Sequence, residues 1–483
     1  WEYQAPWTDR FDQLGYFDPN FTDPLTKQKG LLRFTGRDGN PRHQTNPDKN
    51  NIAPRIGLAW QVKPKTVIRA GYGMFYFPGS GGVGAGASDL GSGFLTQTPV
   101  FLGPPPAAPN TPPAGATMTR AFEAGFFDAP STSVGAGIGT AFREWVTPYN
   151  HQWNFNIQRA LTSTLLFEAA YVGNRGQRIW INRSRSAVPA SAVSLGSALD
   201  DLVDNPYFGV ITTGSLSTRQ VRRSALMQPF SHYTGVSRFR DPVGDSIYHG
   251  FTLRLDKQFS HGLSFQAAFT GSKQIDNVQE RFGGRSTFID PNNLGLSRST
   301  GEEDRPQHFI MNYIYELPFG PGKQFAKSGV VSHLLGRWQL SGVTTFSRGL
   351  PMIITGPNNT RVPGVSAMAI RLKDAVLPDS QRTLDRWFDT TAFIPAPTYS
   401  IGNDSRTQPQ LRIPGIKTFD VNMSRTQVIK ERVTVQFRAE GINAMNHPQF
   451  LPPNTTPTSS AFGQVTQEWS SPRTIQFALK ILF

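Results

Sequence analysis

"FTLRLDKQFSHGLSFQAAFT" occupies residues 251–270 and alternates apolar and polar side chains on both sides of a short turn at Ser260–Gly262. Before the turn, one parity is apolar and the other polar: Phe251, Leu253 and Leu255 against Thr252, Arg254 and Asp256. After it, the same holds for Leu263, Phe265, Ala267 and Phe269 against Ser264, Gln266 and Thr270. Side chains alternate across a strand with a period of two. The stretch therefore predicts an antiparallel hairpin with two unlike faces.

The same pattern recurs along the chain. Hairpins are predicted at residues 54–77, 151–173, 251–270, 308–346 and 417–440. A stub at Trp1–Tyr3 and a terminal strand bring the prediction to about twelve strands in up-and-down order.

Long connections separate these hairpins. They cover residues 78–149, 174–247, 273–306, 348–415 and 442–472, and are rich in Gly, Pro, Asn and Ser. Such loops argue against a compact soluble domain. They are typical of an outer-membrane barrel, with short periplasmic turns and long extracellular loops. The predicted fold is thus all-β, an antiparallel up-and-down transmembrane β-barrel. A soluble β-sandwich with an aromatic core is the alternative, but it leaves the loop asymmetry unexplained.

The terminal stretch "TIQFALKILF" continues the alternation to the last residue. Its outward-facing residues are predicted to be Ile475, Phe477, Leu479, Ile481 and Phe483. A membrane barrel must pair its last strand, because lipid offers no water to an open edge. The pattern Phe477, Leu479, Ile481 and Phe483 resembles the C-terminal signal by which the barrel assembly machinery recognises bacterial outer-membrane proteins.

Aromatic residues collect at both ends of the predicted strands, as a pair of membrane interfaces would select. Near the short turns lie Trp60, Phe259, Tyr315, Trp338 and Phe483, and near the long loops lie Trp153, Tyr171, Tyr248 and Phe269. A polar set predicted to face inward could line a path or contact a plug: Arg55, Arg254, Asp256, Arg438 and Glu440.

The amino-acid composition excludes several other classes of protein. The 483 residues include no cysteine, which removes disulfide scaffolds and thiolate metal sites, and carry a formal charge of +14. The cations are scattered, so no nucleic-acid partner is predicted, and an anionic lipid surface explains the excess equally well. No window approaches the roughly 18 apolar residues of a membrane helix, and the first residues do not resemble a signal peptide.

The sequence contains only weak matches to motifs that bind cofactors, metals or partner proteins. Gly79, Gly81 and Gly84 match a dinucleotide-loop spacing, but no helix-forming sequence follows, which favours a flexible external loop. The eight histidines lack metal-ligand spacing. Residues 103–113 are proline-rich and predict a stiff loop rather than a partner ligand. Residues 78–120 are predicted to be the least ordered part of the chain.

The acidic run at Gly301–Pro306 contains Glu302, Glu303 and Asp304. It could hold a hard cation, but a solvated loop end is the favoured interpretation. No nucleophile elbow is present. No catalytic residue, cofactor or metal site is predicted, and the chain is not expected to be an enzyme.

Several blocks together resemble one family: "NNIAPRIGLAWQVKPKTVIRAGYGMFY", "QWNFNIQRALTSTLLFEAAYVGNRG", "YHGFTLRLDKQFSHGLSFQAAFTGSKQIDN", "HFIMNYIYELPFG", "LLGRWQLSGVTTFSRGLP" and "VQFRAEGINAMNHPQF". They are similar to the barrel of Oar-like TonB-dependent transporters from about residue 50 to the end. The resemblance implies a Gram-negative outer-membrane protein that captures an unidentified extracellular ligand. It also implies import driven by the TonB complex acting on a plug.

Relative to that family, residues 1–483 are expected to be the C-terminal part of the barrel, with no plug in the chain. The chain alone is then not expected to insert as a functional transporter. A rival interpretation is a passive barrel or surface adhesin whose loops bind partners and import nothing.

Overall fold

The computed structural model describes residues 1–3, 5–6, 8, 14–77, 133–278, 288–429, 433–470 and 472–483. Its strands are β1 (Gly15–Thr22), β2 (Lys29–Phe34), β3 (Arg55–Lys63), β4 (Thr66–Tyr76), β5 (Gly137–Phe142), β6 (Tyr149–Ala160), β7 (Leu165–Ser184), β8 (Leu202–Asp204), β9 (Gln220–Arg222), β10 (Gly235–Ser260), β11 (Leu263–Asp276), β12 (Ser299–Thr300), β13 (Gln307–Glu316), β14 (Trp338–Ser347), β15 (Pro351–Met352), β16 (Ile370–Arg371), β17 (Phe393–Ile394), β18 (Gln408–Arg412), β19 (Ile416–Ile429), β20 (Val433–Ile442) and β21 (Thr474–Leu482).

Helices are short in the described ranges. The two α-helices are α1 (Arg223–Leu226) and α2 (Gly329–Leu335), and 3-10 turns occur at Ala190–Asp200, Ser215–Ser217, Leu294–Ser297, Asp379–Gln381 and Thr390–Ala392. None of these described helices has the length and hydropathy needed to cross a membrane.

Eleven strands form one antiparallel path, which we call the wall. Their order is β21-β20-β19-β14-β13-β11-β10-β7-β6-β4-β3. Each strand pairs with the preceding and following wall strands in the chain, which confirms the predicted up-and-down antiparallel fold. Among the described residues, no strand pairs with the outer side of β3 or of β21. The wall is therefore an open sheet with two edges.

The predicted first strand at Trp1–Tyr3 is wrong. These residues belong to no strand: Trp1 Nε1 donates to the carbonyl of Lys49 over 2.7 Å, and its ring stacks on Tyr3. Contacts with Lys49 and Asn51 hold the segment in place, and it pairs with neither edge of the wall. The wall has eleven strands where about twelve were predicted.

Two wall strands extend well into the connection predicted at residues 174–247. β7 runs on to Ser184, and β10 begins at Gly235. Their pairing continues through register shifts between Arg238 and Asp241 and again at Gly244. Bulges of this kind place an extra residue on one strand and break the period of two. The sequence pattern fails there although the ladder continues.

An N-terminal hairpin was missed from sequence. β1 pairs with β2, β1 lies parallel to β5, and β5 lies parallel to the start of β10. Pro19 interrupts the alternation of "GYFDPNFT" in β1, which hides the strand from a search by parity. The hairpin joins the wall at the end where the long connections lie.

The buried apolar clusters lie in the N-terminal hairpin and the long connections, and of the wall residues they include Val236 at the start of β10. We call the described residues 14–52, 133–147, 185–234, 288–306, 348–415 and 443–470 the cap. Three buried clusters organise it, around Phe17 and Tyr233, around Met352 and Phe388, and around Val188 and Leu199. The long connections thus fold onto one another at one end of the strands, while the opposite end carries shorter turns.

Two sequence predictions lie outside the described residues. They are the glycine motif at Gly79–Gly84 and the proline-rich run at 103–113. The prediction that residues 78–120 are the least ordered part of the chain falls there too.

Candidate functional site

The wall has one apolar face, which the pairing register carries from edge to edge. In the cross-strand rows, apolar residues meet apolar residues: Trp60 with Ile68, Ile68 with Ile157, Ile157 with Ala169, Ala169 with Leu253, Leu253 with Phe269, Phe269 with Phe309, and Phe309 with Phe346. At the other edge, Phe437 pairs with Leu479 and Ala439 with Phe477. A face this wide and this exposed needs an apolar surrounding, which lipid supplies.

Polar and charged residues mark the two ends of this apolar face along the strands, one near the cap and one near the short turns. On β6, β10 and β19, eight residues separate the two limits: His151 and Arg159, His249 and Lys257, Lys417 and Arg425. Eight residues rise about 27 Å along a strand at about 3.4 Å each. At the tilt of about 40° that barrel strands adopt, this corresponds to a band about 21 Å tall, slightly shorter than the apolar band of about 25 Å in outer-membrane barrels.

Tyrosine–histidine pairs mark the cap side of the band. Tyr72 Oη lies 2.7 Å from Nδ1 of His151, and Tyr171 Oη lies 2.7 Å from Nδ1 of His249. Such rings have an apolar body and a polar tip, which suits a membrane interface. Trp153 lies beside them, with its ring over Gly173, where a Cβ would come within 2.1 Å of the ring.

The predicted aromatic bands are only partly correct. Trp153, Tyr171 and Phe269 share the apolar face at the cap side, and Trp338 packs edge-on against Phe437 at the turn side. Tyr248 was predicted in the band but occupies the opposite parity of β10, together with Thr252. The alternation of side chains along β10 is sufficient to place Tyr248 on the polar face. The prediction instead relied on its nearness to the long loop.

The other face of the wall is polar, and its side chains form hydrogen bonds and ion pairs both within a strand and between neighbouring strands. Asp256 accepts from Arg254 Nε over 2.8 Å and from Gln266 Nε2 over 2.8 Å. Gln158 Nε2 donates to Glu168 over 2.8 Å. The predicted inward set, Arg55, Arg254, Asp256, Arg438 and Glu440, lies on this face. It is therefore the side that a water-filled lumen would contact.

A groove of about 470 Å³ lies against the polar side of β11, β13, β14, β19 and β20. Ser264, Asn312 and Glu440 contribute to its lining, with Ile314 and Val343 between them. Asn422 Nδ2 and Ser341 Oγ also belong to the lining, and the former donates to the latter over 3.1 Å. The groove offers hydroxyl and amide groups, the carboxylates of Asp420 and Glu440, and apolar contact on one surface.

The cap is fixed to the wall by buried ion pairs. Arg412 Nη2 donates to Asp304 Oδ2 over 2.6 Å, and Asp304 Oδ1 accepts from the backbone N–H of Gln274 over 2.6 Å. Arg406 binds Asp276 and also reaches Glu302 over 3.4 Å. The favoured interpretation of a solvated loop end is therefore wrong for Asp304, which is buried. The partners lie about a hundred residues away, where sequence spacing gives no signal.

Other titratable groups in the cap have shifted pKa values. A hydrogen bond from Lys373 is the main cause that lowers the pKa of Asp389 to about 2. Burial raises the pKa of Asp404, although Gln408 donates to both of its oxygens. Burial lowers the pKa of His232, whose Nε2 lies 2.8 Å from the carbonyl oxygen of Gly30. In the described ranges, no three His, Asp or Glu side chains are grouped as metal ligands would be.

The terminal residues singled out from sequence share the apolar face. Phe477, Leu479 and Ile481 are paired in register on β21, and Phe483 follows the strand with its side chain fully exposed. Their predicted role as an assembly signal remains a prediction.

Comparison with known proteins agrees with this architecture. Residues 1–476 match the family described as outer membrane beta barrel domain, and the chain belongs to that family. It is thus an outer-membrane protein. No curated protein matches the sequence significantly.

Solved structures give weaker similarities. The outer membrane transporter YddB from Escherichia coli is 11% identical, with a TM-score of 0.40, covering 94% of this chain and 42% of its own. The ferric preacinetobactin receptor BauA from Acinetobacter baumannii is 9% identical, with a TM-score of 0.37, covering 94% and 38%. The chain therefore spans about two fifths of their length. The family assignment rests on the domain match alone.

Proposed function

We propose that the wall is part of the barrel of a TonB-dependent outer-membrane transporter. It binds an extracellular ligand at the cap and lets it pass along the polar face. The role involves binding and passage, with no chemistry on the ligand. The energy comes from the TonB complex through a plug, for which the described residues show no candidate. The resemblance of the sequence blocks to Oar-like transporters supports this subtype.

One observation carries the proposal: the apolar face reaches both unpaired edges. β3 bears Ile56, Leu58 and Trp60 on this face, and β21 bears Phe477 and Leu479. In lipid, an unpaired edge leaves backbone N–H and C=O groups unsatisfied at several kcal/mol each. The sheet must therefore continue beyond both edges or close on itself. Continuation gives a barrel wide enough to need a plug, as in 22-stranded transporters.

The structure of the cap is consistent with ligand capture at the end of the wall that carries the long connections. Its three cores and its buried ion pairs hold the long connections in one arrangement at one end of the wall strands. Binding residues are positioned most accurately when rigid elements support them.

The test separates a wide, plugged barrel from a passive one. The 483-residue chain is expressed with an outer-membrane signal, purified from membranes and reconstituted into liposomes loaded with calcein. We expect no heat-modifiable gel migration and no calcein release, because the eleven-stranded wall is open. Heat-modifiable migration together with calcein release would instead identify a closed passive barrel.

A second measurement examines the edges directly. Cysteines are introduced in pairs around Ala59 on β3 and Ala478 on β21, in a chain that has none of its own. A reagent spanning about 10 Å, twice the strand spacing, should not join these edges when the chain is in the membrane. Efficient cross-linking would show that β3 and β21 close on each other, and would overturn the wide-barrel proposal.

A further inference from the structure

Three cations gather at the cap side of the apolar band, on the side that lipid contacts. Arg175 and Lys273 share the parity of the apolar face on β7 and β11, one on each side of β10. Arg298 joins them from the cap by donating to Asp245 Oδ1 over 3.1 Å. We call Arg175, Lys273 and Arg298 the interfacial cation cluster.

The cluster lies directly beyond the aromatic boundary. Lys273 is paired with His249, and Arg175 with His151. Both histidines hydrogen-bond to the tyrosines that mark this side of the band. Residues just past such a boundary meet lipid headgroups rather than acyl chains.

The positive charges exceed the carboxylates that face them. Asp245 is shared between Arg175, at 3.3 Å, and Arg298, at 3.1 Å. Asp304 lies 3.9 Å from Lys273, but it is buried and already paired with Arg412 at 2.6 Å. The three cations remain 48%, 44% and 46% exposed. The cluster therefore offers net positive charge to a ligand outside the protein.

We propose that the interfacial cation cluster binds the phosphate of an anionic lipid headgroup in the leaflet next to the cap. The lipid's acyl chains then lie along Phe251 and Phe269, on the same face below the cluster. Guanidinium and ammonium donors suit phosphate oxygens. The proposal rests on the membrane placement of the wall and not on transport.

The test measures binding of radiolabelled phosphatidic acid to the full chain in zwitterionic detergent micelles at low salt. Each Lys or Arg near a phosphate-bearing surface is worth about fivefold in affinity. We therefore expect the triple variant Arg175→Gln, Lys273→Gln, Arg298→Gln to bind about a hundredfold more weakly. The matched control is Arg222→Gln, Arg223→Gln, Arg361→Gln, which removes three exposed, ion-paired cations of the cap. It should bind as the unaltered chain does.

A further variant separates binding from structural support. Asp245→Asn removes the carboxylate that competes with the phosphate, so affinity should rise about fivefold. If the cluster only holds the cap, the same change should leave affinity unchanged or lower it. This variant and Lys273→Gln alone decide the matter if the triple variant does not fold.

Three results would overturn the proposal. One is equal weakening by the cap control, which would make the attraction non-specific. Another is equally tight binding of phosphatidylcholine, which would make charge irrelevant. The last is full competition by an equal concentration of inorganic phosphate, which would assign the site to the free anion and not to lipid.

Discussion

Arg412 Nη2 donates to Oδ2 of Asp304 over 2.6 Å, and the two side chains lie at the junction of cap and wall with almost no exposure to solvent. The same guanidinium donates through Nη1 to the backbone carbonyls of Asp304 and Gly349. The acidic run at Glu302–Asp304 is thus part of the attachment of the cap, and Asp304 is unavailable to a cation.

Removing one partner of this pair should destabilise the protein strongly. Arg412→Gln leaves the Asp304 carboxylate buried without its counter-charge, at a cost of about 3–5 kcal/mol in the free energy of unfolding. Urea titration in detergent micelles measures the change. Asp379→Asn is the control, since that carboxylate is 97% exposed and its loss should cost under about 0.5 kcal/mol. Equal effects of the two changes would show that the buried pair does not hold the cap.

The N-terminal hairpin should loosen as the pH falls. Burial lowers the pKa of His232 below its ordinary 6.5, so the folded protein keeps a neutral ring that donates to Gly30. The unfolded chain gains a proton as pH falls through about 6.5. The stability contribution is therefore complete above that pH and is lost progressively as pH falls towards the lowered folded pKa.

Limited proteolysis of β1 and β2 at pH 7.5 and at pH 5.5 measures this effect. Cleavage should be faster at the lower pH, and His232→Gln should remove most of the difference. A variant with the same pH dependence as the unaltered chain would assign the effect to other groups.

A charge introduced at two adjacent positions of β10 should have different effects on membrane insertion. Leu253 lies midway between His249 and Lys257 on the apolar face, whereas Thr252 lies on the polar face. Leu253→Arg at mid-band should destabilise the membrane-inserted state by about 2–4 kcal/mol. Thr252→Arg is the matched control and should insert nearly normally. The fraction of chain that resists carbonate extraction reports the difference, and equal loss in both variants would argue against a lipid-facing parity.

Phe483 should act in assembly and not in folded stability. Its side chain is fully exposed, so Phe483→Ala removes no packing within the chain. We expect less chain in the outer membrane but an unchanged urea midpoint for the chain that is assembled. Leu482→Ala, at the opposite parity, is the control and should assemble normally. Normal assembly of Phe483→Ala would remove this residue from the proposed signal.

The wall could be predicted from sequence because its information is local. In Phe251–Thr270, each side chain's face follows from parity, and each strand meets its neighbour through a short turn. That regularity gave the fold class, the apolar face and the polar set. It failed at Tyr248, where nearness to a loop was given more weight than parity.

The cap could not be predicted, because its contacts join distant segments. Tyr399 Oη donates to Asp200 over 2.8 Å across 199 residues, and Arg406 meets Asp276 across 130. Neither contact leaves a spacing pattern in the chain. The interfacial cation cluster could not be predicted either, because the register of β7, β10 and β11 places Arg175 and Lys273, and Arg298 reaches them from the cap through Asp245.

One face of the wall meets lipid and the other meets water. Because the chain contains no cysteine, single cysteines can be placed at each position from Phe251 to Asp256 without background labelling. In outer membranes, a lipid-soluble quencher of an attached fluorophore should act at 251, 253 and 255, and a membrane-impermeant thiol reagent should react at 252, 254 and 256. Labelling that does not alternate, or that alternates in the opposite sense, would contradict the account.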